Sequence, residues 1–449
     1  MAKERVTYIC SDCSYKTIKW VGKCPNCGAW GTIDEEIIMK DLDKLITKSV
    51  PAQKLDDINI EKEFRINTKY IEFDRVLGGG LTKAEVVLVT GAPGIGKSTF
   101  LISLLNEYSK KVSTLYVSGE ESLRQIKERA NRLSISSNNL FLLNETKLEN
   151  IIGTIIENKP SVVVIDSIQT LYSENINSLP ASISQIKECS LKLIEIAKKY
   201  DIAFYIVGHV TKDGKLAGPK LLEHMVDCVI SFEGDENNYY RIVRSTKNRY
   251  GSTNEISIFD MKETGIEEVK NPSEFFIASR EEKNIGSIIV PCIEGSRVIL
   301  FEIQSLISNA IYGYPKRIIQ GFDKNRMEIL LAVLSKNMKT DFNTKDVYIN
   351  IPGGIELDER ASDMAIILSL ISTIKEQAVS AKIAALGELG LRGEVRAVSF
   401  IKKRIKELIK LGFTGVYLPK VHEEDLKKEK LNIKLNYINN ISELIERIN

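Results

Sequence analysis

Between residues 85 and 208 short apolar runs are separated by longer stretches of mixed polarity. Glu85-Val86-Val87-Leu88-Val89-Thr90, Thr114-Leu115-Tyr116-Val117-Ser118, Val162-Val163-Val164-Ile165 and Ala203-Phe204-Tyr205-Ile206-Val207 are continuous rather than alternating. Short unbroken runs rich in β-branched residues predict strands buried on both faces, as in a parallel sheet packed between helices. Thr99 to Tyr108 reads as the helix after the first of them. Tyr239 to Val243 and Ile256 to Phe259 read as two strands around a basic tip. After Asn271-Pro272 the rhythm changes. Val290 to Gln304 predicts two strands about a turn at Glu294-Gly295, Phe322 to Leu334 a helix, Asp346 to Asn350 a strand and Ala361 to Ile374 an apolar helix. Residues 34–62 have mixed charge, Pro51 and no clear period, which marks a linker. The chain therefore reads as α/β, with domains at 1–33, 63–270 and 271–449.

Composition supports a globular protein. The chain has 449 residues, which at roughly 150 per domain suggests about three domains. It is 43% hydrophobic and 27% charged, which is not the balance of a disordered chain. The longest apolar run, Met364 to Ile374, contains Ser369 and Ser372 and falls short of the ~20 residues a membrane span needs. No apolar stretch follows Met1-Ala2-Lys3-Glu4-Arg5, so no signal peptide is expected and a cytoplasmic protein is. Lys and Arg number 62 against 60 Asp and Glu, a net charge of +2. Basic clusters at 16–23, 212–220, 241–249 and 402–410 are hidden in that average, so any contact with nucleic acid must be local.

Four of the seven cysteines, Cys10, Cys13, Cys24 and Cys27, form two Cys-x-x-Cys pairs ten residues apart. Each pair can aim two thiolates at one point, and two such knuckles complete a tetrahedral S4 site suited to zinc. Gly22, Pro25, Asn26 and Gly28 supply the turn chemistry. Two disulfides are the rival reading, which a cytoplasmic chain argues against. About thirty residues cannot build a core of their own, so zinc would supply the folding energy. Lys16, Lys19, Lys23 and Trp20 make the knuckle basic and aromatic, which suits DNA or a protein partner. Cys189, Cys228 and Cys292 are scattered and read as buried apolar residues.

Directly after the first buried strand comes Gly91-Ala92-Pro93-Gly94-Ile95-Gly96-Lys97-Ser98, followed by Thr99, a Walker A loop between strand and helix. Its backbone N–H groups can curl round the phosphates of ATP, Lys97 can place its charge on the terminal phosphates, and Ser98 can offer a hydroxyl to Mg2+. Three other strands end in Gly119-Glu120-Glu121, Asp166-Ser167 and Gly208-His209. Ligands of parallel sheets sit beyond the carboxyl ends of the strands. Asp166 fits the Walker B role, Glu120 could polarise the attacking water with Glu121 as its competitor, and His209 is either a γ-phosphate sensor or a structural histidine. Lys247-Asn248-Arg249-Tyr250-Gly251 lies in a segment with four cations and no acid. That is a solvated hairpin tip or a cation delivered to a neighbour's ATP.

Together these residues resemble the bacterial RadA (Sms) family of DNA repair proteins. The resemblance rests on the four cysteines, Gly91 to Ser98, Ser118 to Ser122, Val164 to Ser167 and Lys247 to Gly251, where Tyr250 stands for the family's phenylalanine. It implies a RecA-like ATPase core working as a hexameric ring on single-stranded and branched DNA, with ATP between subunits and Lys247 and Arg249 acting in trans. It favours Glu120 as the base and His209 as the sensor. It puts DNA-contacting loops after Asp166 and His209, with Lys212, Lys215 and Lys220 on DNA phosphates, and it adds the RecA recombinase as a candidate partner.

The last domain is similar to the proteolytic domain of Lon, through Ile351 to Gly354 and Ala384 to Val395. Lon chemistry needs a serine deprotonated by a lysine amine. Here Ala361 falls at the serine position, with Ser362 adjacent, and Lys402 lies near the lysine position. The domain is therefore expected to be a scaffold, with an ATP-dependent protease as the alternative. Lys402, Lys403, Arg404, Lys406 and Lys410 punctuate Ile401, Ile405, Leu408 and Ile409, predicting an amphipathic helix with a basic outer face.

Overall fold

The computed structural model describes residues 7–10, 13, 15–17, 19–36, 54, 64–208, 221–234, 240–262, 265–277, 283–310 and 314–448. The chain forms two compact units, Met1–Glu63 and Phe64–Asn449.

The first unit contains a three-stranded antiparallel sheet with Thr7–Cys10 between Lys16–Thr17 and Ile33–Glu36. Pairing runs from Cys10 opposite Ile33 to Thr7 opposite Glu36, three residues past the boundary read at 33. Among the described residues the unit's buried apolar members are Cys10, Cys24 and Ile33.

The second unit holds two large sheets. In the first, six parallel strands lie in the order Leu140–Asn144, Thr114–Ser118, Val162–Asp166, Ala203–Val207, Val86–Gly91 and Cys228–Glu233. Antiparallel strands Tyr240–Asn248, Ile256–Lys262 and Gly265–Glu268 extend it. The unbroken apolar runs have the predicted cause, because successive side chains point to opposite faces and both faces are covered. Val87, Val89, Val164 and Tyr205 enter one core, and Val86, Leu88, Val163 and Phe204 enter the other.

The second sheet has seven strands, in the order Arg317–Gln320, Lys345–Asn350, Arg297–Asn309, Ser287–Glu294, Ile383–Ala385, Gly415–Pro419 and Lys434–Ile438. The apolar run at 364–374 is the helix Asp363–Lys375, buried all round along Met364 to Ser372. The helix expected from Phe322 begins instead at Lys324, because the Asp323 side chain caps the Arg326 N–H at 2.7 Å. Arg244 ties the two sheets, bonding Glu233 at 3.1 Å and Glu294 at 2.6 Å. Among the described residues no helix is long and apolar enough to cross a membrane.

One basic residue is not where its charge suggests. Lys402, Lys403, Lys406 and Lys410 line the exposed side of the helix Ile401–Lys410, but Arg404 is fully buried. It stands three residues after Ile401, on the apolar face. Its guanidinium pairs with Glu359 and donates to Pro291 O at 2.5 Å and Ser399 O at 2.9 Å. Removing one member of a buried pair strands the other, so Arg404→Ala is expected to cost about 3–5 kcal/mol. The Arg404→Leu/Glu359→Leu double variant should cost less than the sum of the singles. Urea unfolding curves for the four proteins check this, and additive losses would refute the coupling.

Candidate functional site

The phosphate loop leaves the sheet where Gly91 meets the strand Cys228–Glu233. A Cβ at Gly91, whose φ is +144°, would lie 2.9 Å from Phe232 Cβ and O, so only glycine passes there. The helix Lys97–Ser109 opens on Gly96, in the left-handed region at φ +104°. Its free N–H groups and dipole favour an anion at the loop. Lys97 is buried, and its Nζ donates to Gly91 O at 2.8 Å and Ala92 O at 2.9 Å. Burial pushes the Lys97 ammonium down, while the carboxylates of Asp166 and Glu120 act in the opposite direction.

Those carboxylates come from the neighbouring strand ends, as the parallel sheet requires. Asp166 Oδ2 accepts the Tyr116 hydroxyl at 2.5 Å. Burial, and then Asp166, pushes the Tyr116 hydroxyl well up, so it stays a proton donor. Tyr116 thus holds Asp166, one of the side chains expected at Mg2+, a role that its place in an apolar run does not announce. Its signal was a phenol in a strand buried on both faces, where a hydroxyl needs a partner.

Glu120 and Glu121, inseparable in the sequence, point to different partners. Glu120 Oε1 accepts from Ser167 Oγ at 2.6 Å, which keeps it at the Walker B strand end. Glu121 pairs with Arg129 on the helix Leu123–Arg132. The turn between them and the strand depends on Gly119, where a Cβ would lie 2.1 Å from Thr170 Oγ1. His209, Lys212, Lys215 and Lys220 lie outside the described residues.

The strand Tyr240–Asn248 runs antiparallel to Cys228–Glu233, which is itself parallel to the phosphate-loop strand. Arg241 stands at the loop end, and its Nε donates to Ile95 O at 2.8 Å. Arg249 lies beyond the other end, eight residues on. At about 3.4 Å per residue that is ~27 Å away. Arg249 is half exposed and pairs with Asp227 at 3.2 Å. Lys247, expected beside it, is engaged with its own chain. Its Nζ donates to Glu223 O, His224 O and Val226 O at 2.7, 3.1 and 2.8 Å, at the C-terminus of the helix Leu221–Met225. Asn248 Nδ2 donates to Val76 O at 3.0 Å, at the end of the helix Ile71–Val76. Gly251 packs on Gly78 so closely that a Cβ would lie 2.5 Å from its Cα. Two helix ends and a backbone contact therefore fix the base from which Arg249 projects.

In the first unit the Sγ atoms of Cys10, Cys13, Cys24 and Cys27 all lie within 4.8 Å of one another. Cys10–Cys27 and Cys13–Cys24 are 3.7 and 3.6 Å apart. A tetrahedron with Zn–S arms of about 2.3 Å has edges of about 3.8 Å. The donor set fits zinc. The knuckles are closed by Cys10 N–H to Tyr15 O at 3.0 Å and Cys24 N–H to Ala29 O at 2.8 Å.

In the Lon-like region Ser362 is fully buried and its hydroxyl donates to Glu359 O at 2.7 Å. Lys402 is exposed and pairs with Glu429 at 2.9 Å.

Three family descriptions match the chain: a rubredoxin metal binding domain over residues 8–35, an AAA domain over 63–215, and the Lon protease (S16) C-terminal proteolytic domain over 330–448. The crystal structure of a KaiC-like protein from Pyrococcus horikoshii OT3 aligns at 19% identity and a TM-score of 0.39, over 46% of this chain and 99% of its own. DNA repair protein RadA of Aquifex aeolicus is 42% identical over 99% of both chains. DNA repair protein RadA of Bacillus subtilis is 46% identical, again over 99% of both. With its metal knuckle, phosphate loop and Lon-like region in the same order, the chain belongs to the DNA repair protein RadA family.

Proposed function

We propose that the chain is a DNA-dependent ATPase that assembles as a hexameric ring, moves along single-stranded DNA and extends branched recombination intermediates. The observation that carries the ring is the separation of Arg241 and Arg249. One touches the subunit's own phosphate loop, and the other projects from the far end of the same strand, out of reach of that loop. An arginine held there can serve an ATP only if the ATP belongs to a neighbouring subunit.

In this reading backbone N–H groups of Gly91 to Thr99 hold the phosphates. Lys97 turns from the loop carbonyls to the terminal phosphates. Ser98 and Asp166 would hold Mg2+, which neutralises phosphate charge when bound. Glu120 accepts a proton from water as its oxygen attacks the γ-phosphorus, and the bond to the ADP oxygen breaks. Arg249 of the next subunit stabilises the charge on the transferring group, with Lys247 supporting it. His209 senses the γ-phosphate, and Lys212, Lys215 and Lys220 follow DNA phosphates inside the ring. The RecA recombinase is a candidate partner. Against proteolysis stand a buried Ser362 bonded to a backbone carbonyl and an exposed Lys402 tied to Glu429.

ATP turnover with and without single-stranded DNA tests this reading. Turnover is expected to rise several-fold with DNA, and DNA affinity to fall with salt at a slope of about −0.7 per phosphate contact. Unstimulated turnover, together with no DNA binding at low salt in the presence of nucleotide, would overturn it.

A further inference from the structure

The two tryptophans of the chain, Trp20 and Trp30, both lie on the cysteine knuckle. An indole is normally among the more buried side chains, yet these are 63% and 74% exposed. They are also neighbours. A Cβ placed on Gly22 would lie 3.8 Å from Trp20 Cη2 and 3.8 Å from Trp30 Cζ3. The two ring edges are therefore separated by at most twice that distance, with a residue lacking a side chain between them. An isolated bridge pairs the backbones of Lys23 and Trp30, so Trp30 is held by the knuckle's own turn.

The segment that carries the rings is basic. Lys16, Lys19 and Lys23 are exposed, and residues 13–33 contain no Asp or Glu. Lys23 Nζ stands 5.8 Å from the Trp30 ring centroid, so one cation accompanies one ring face. Exposed aromatic faces beside a cationic track are what a flexible polyanion with flat bases requires. Stacking on rings tolerates any base, and lysines follow the backbone phosphates. Duplex DNA hides its base faces and would leave the indoles unused.

We propose that Trp20 and Trp30 form a stacking platform for the bases of single-stranded DNA, with Lys16, Lys19 and Lys23 on its phosphates. The proposal rests on the DNA-motor reading for the identity of the strand, and adds to it a contact outside the ring's central loops.

Because the chain has two tryptophans and both are on this face, intrinsic tryptophan emission of the full-length protein reports on the platform directly. The zinc-loaded protein is titrated with a fluorescently labelled oligothymidylate while anisotropy of the label and tryptophan emission are both followed. Emission is expected to be quenched and to saturate with the anisotropy. Trp20→Ala and Trp30→Ala should each weaken binding on the order of 10-fold or more, and Trp→Phe at the same positions should restore most of it. Zinc content of each variant shows that the knuckle is intact. A rise in anisotropy with unchanged emission would overturn the platform and leave the DNA motor standing. Wild-type affinity in the zinc-loaded alanine variants would do the same, and would assign the face to a protein partner. No anisotropy change at all would remove the platform and the DNA motor together.

Discussion

Arg249→Ala is expected to reduce ATP turnover by about 10³-fold or more while leaving nucleotide binding nearly intact, because an arginine finger contributes on the order of 10³–10⁵ in rate. The split between binding and turnover follows from geometry: Arg249 cannot reach the loop of its own chain, but Lys97 sits inside it. Lys97→Ala should therefore abolish turnover by removing the charge at the phosphates. Mixing the two inactive variants gives the decisive result. In a head-to-tail ring, an interface regains both parts when an Arg249→Ala subunit supplies the loop and a Lys97→Ala subunit supplies the arginine. Random assembly places about a quarter of interfaces in that state, and a matching fraction of activity is expected. Steady-state phosphate release on the mixture measures it. A mixture as inactive as its components, under conditions where the subunits demonstrably exchange, would count against action in trans.

Removal of zinc is expected to unfold the first unit without unfolding the second. Apparent zinc binding in such peptides amounts to about 10–16 kcal/mol, and here it stands almost alone against chain entropy. The unit's buried apolar residues among those described, Cys10, Cys24 and Ile33, include two of the ligands themselves. A chelator, or Cys24→Ser, should expose amides of residues 7–36 to hydrogen exchange, with residues 64–448 still protected. Acid should act in the same direction, because each thiolate must take up a proton as the metal leaves. Protection that survives complete metal loss would show that the ribbon is held by something other than the ion.

Much of this architecture is legible in the sequence because each part depends on local constraints. The phosphate loop needs glycines at fixed spacing, the metal site needs two knuckles, and strands buried on both faces need unbroken apolar runs. What the sequence hides are the choices made by tertiary packing. Arg404 looks like one more cation in a basic run until Glu359, 45 residues away, fills the space opposite it. Tyr116 reads as a strand residue until Asp166 arrives on the adjacent strand. Lys247 sits in a motif whose spacing says nothing of the helix carbonyls that receive it. Glu120 and Glu121 are adjacent and chemically identical, and only their partners, Ser167 and Arg129, tell them apart.

Arg244 gives the second sheet a mechanical part to play. It lies on the strand that begins beside Arg241 and leads to Arg249, and it is anchored to Glu294 in the other sheet. A strand paired on both sides is stiff, and a stiff bar fixed near its middle is a lever with a fulcrum. Displacement of the phosphate loop at one end would then be delivered, turned about that point, to the arginine at the other. In a ring, the nucleotide state of one subunit would be handed to the next through a pivot that the second sheet holds still.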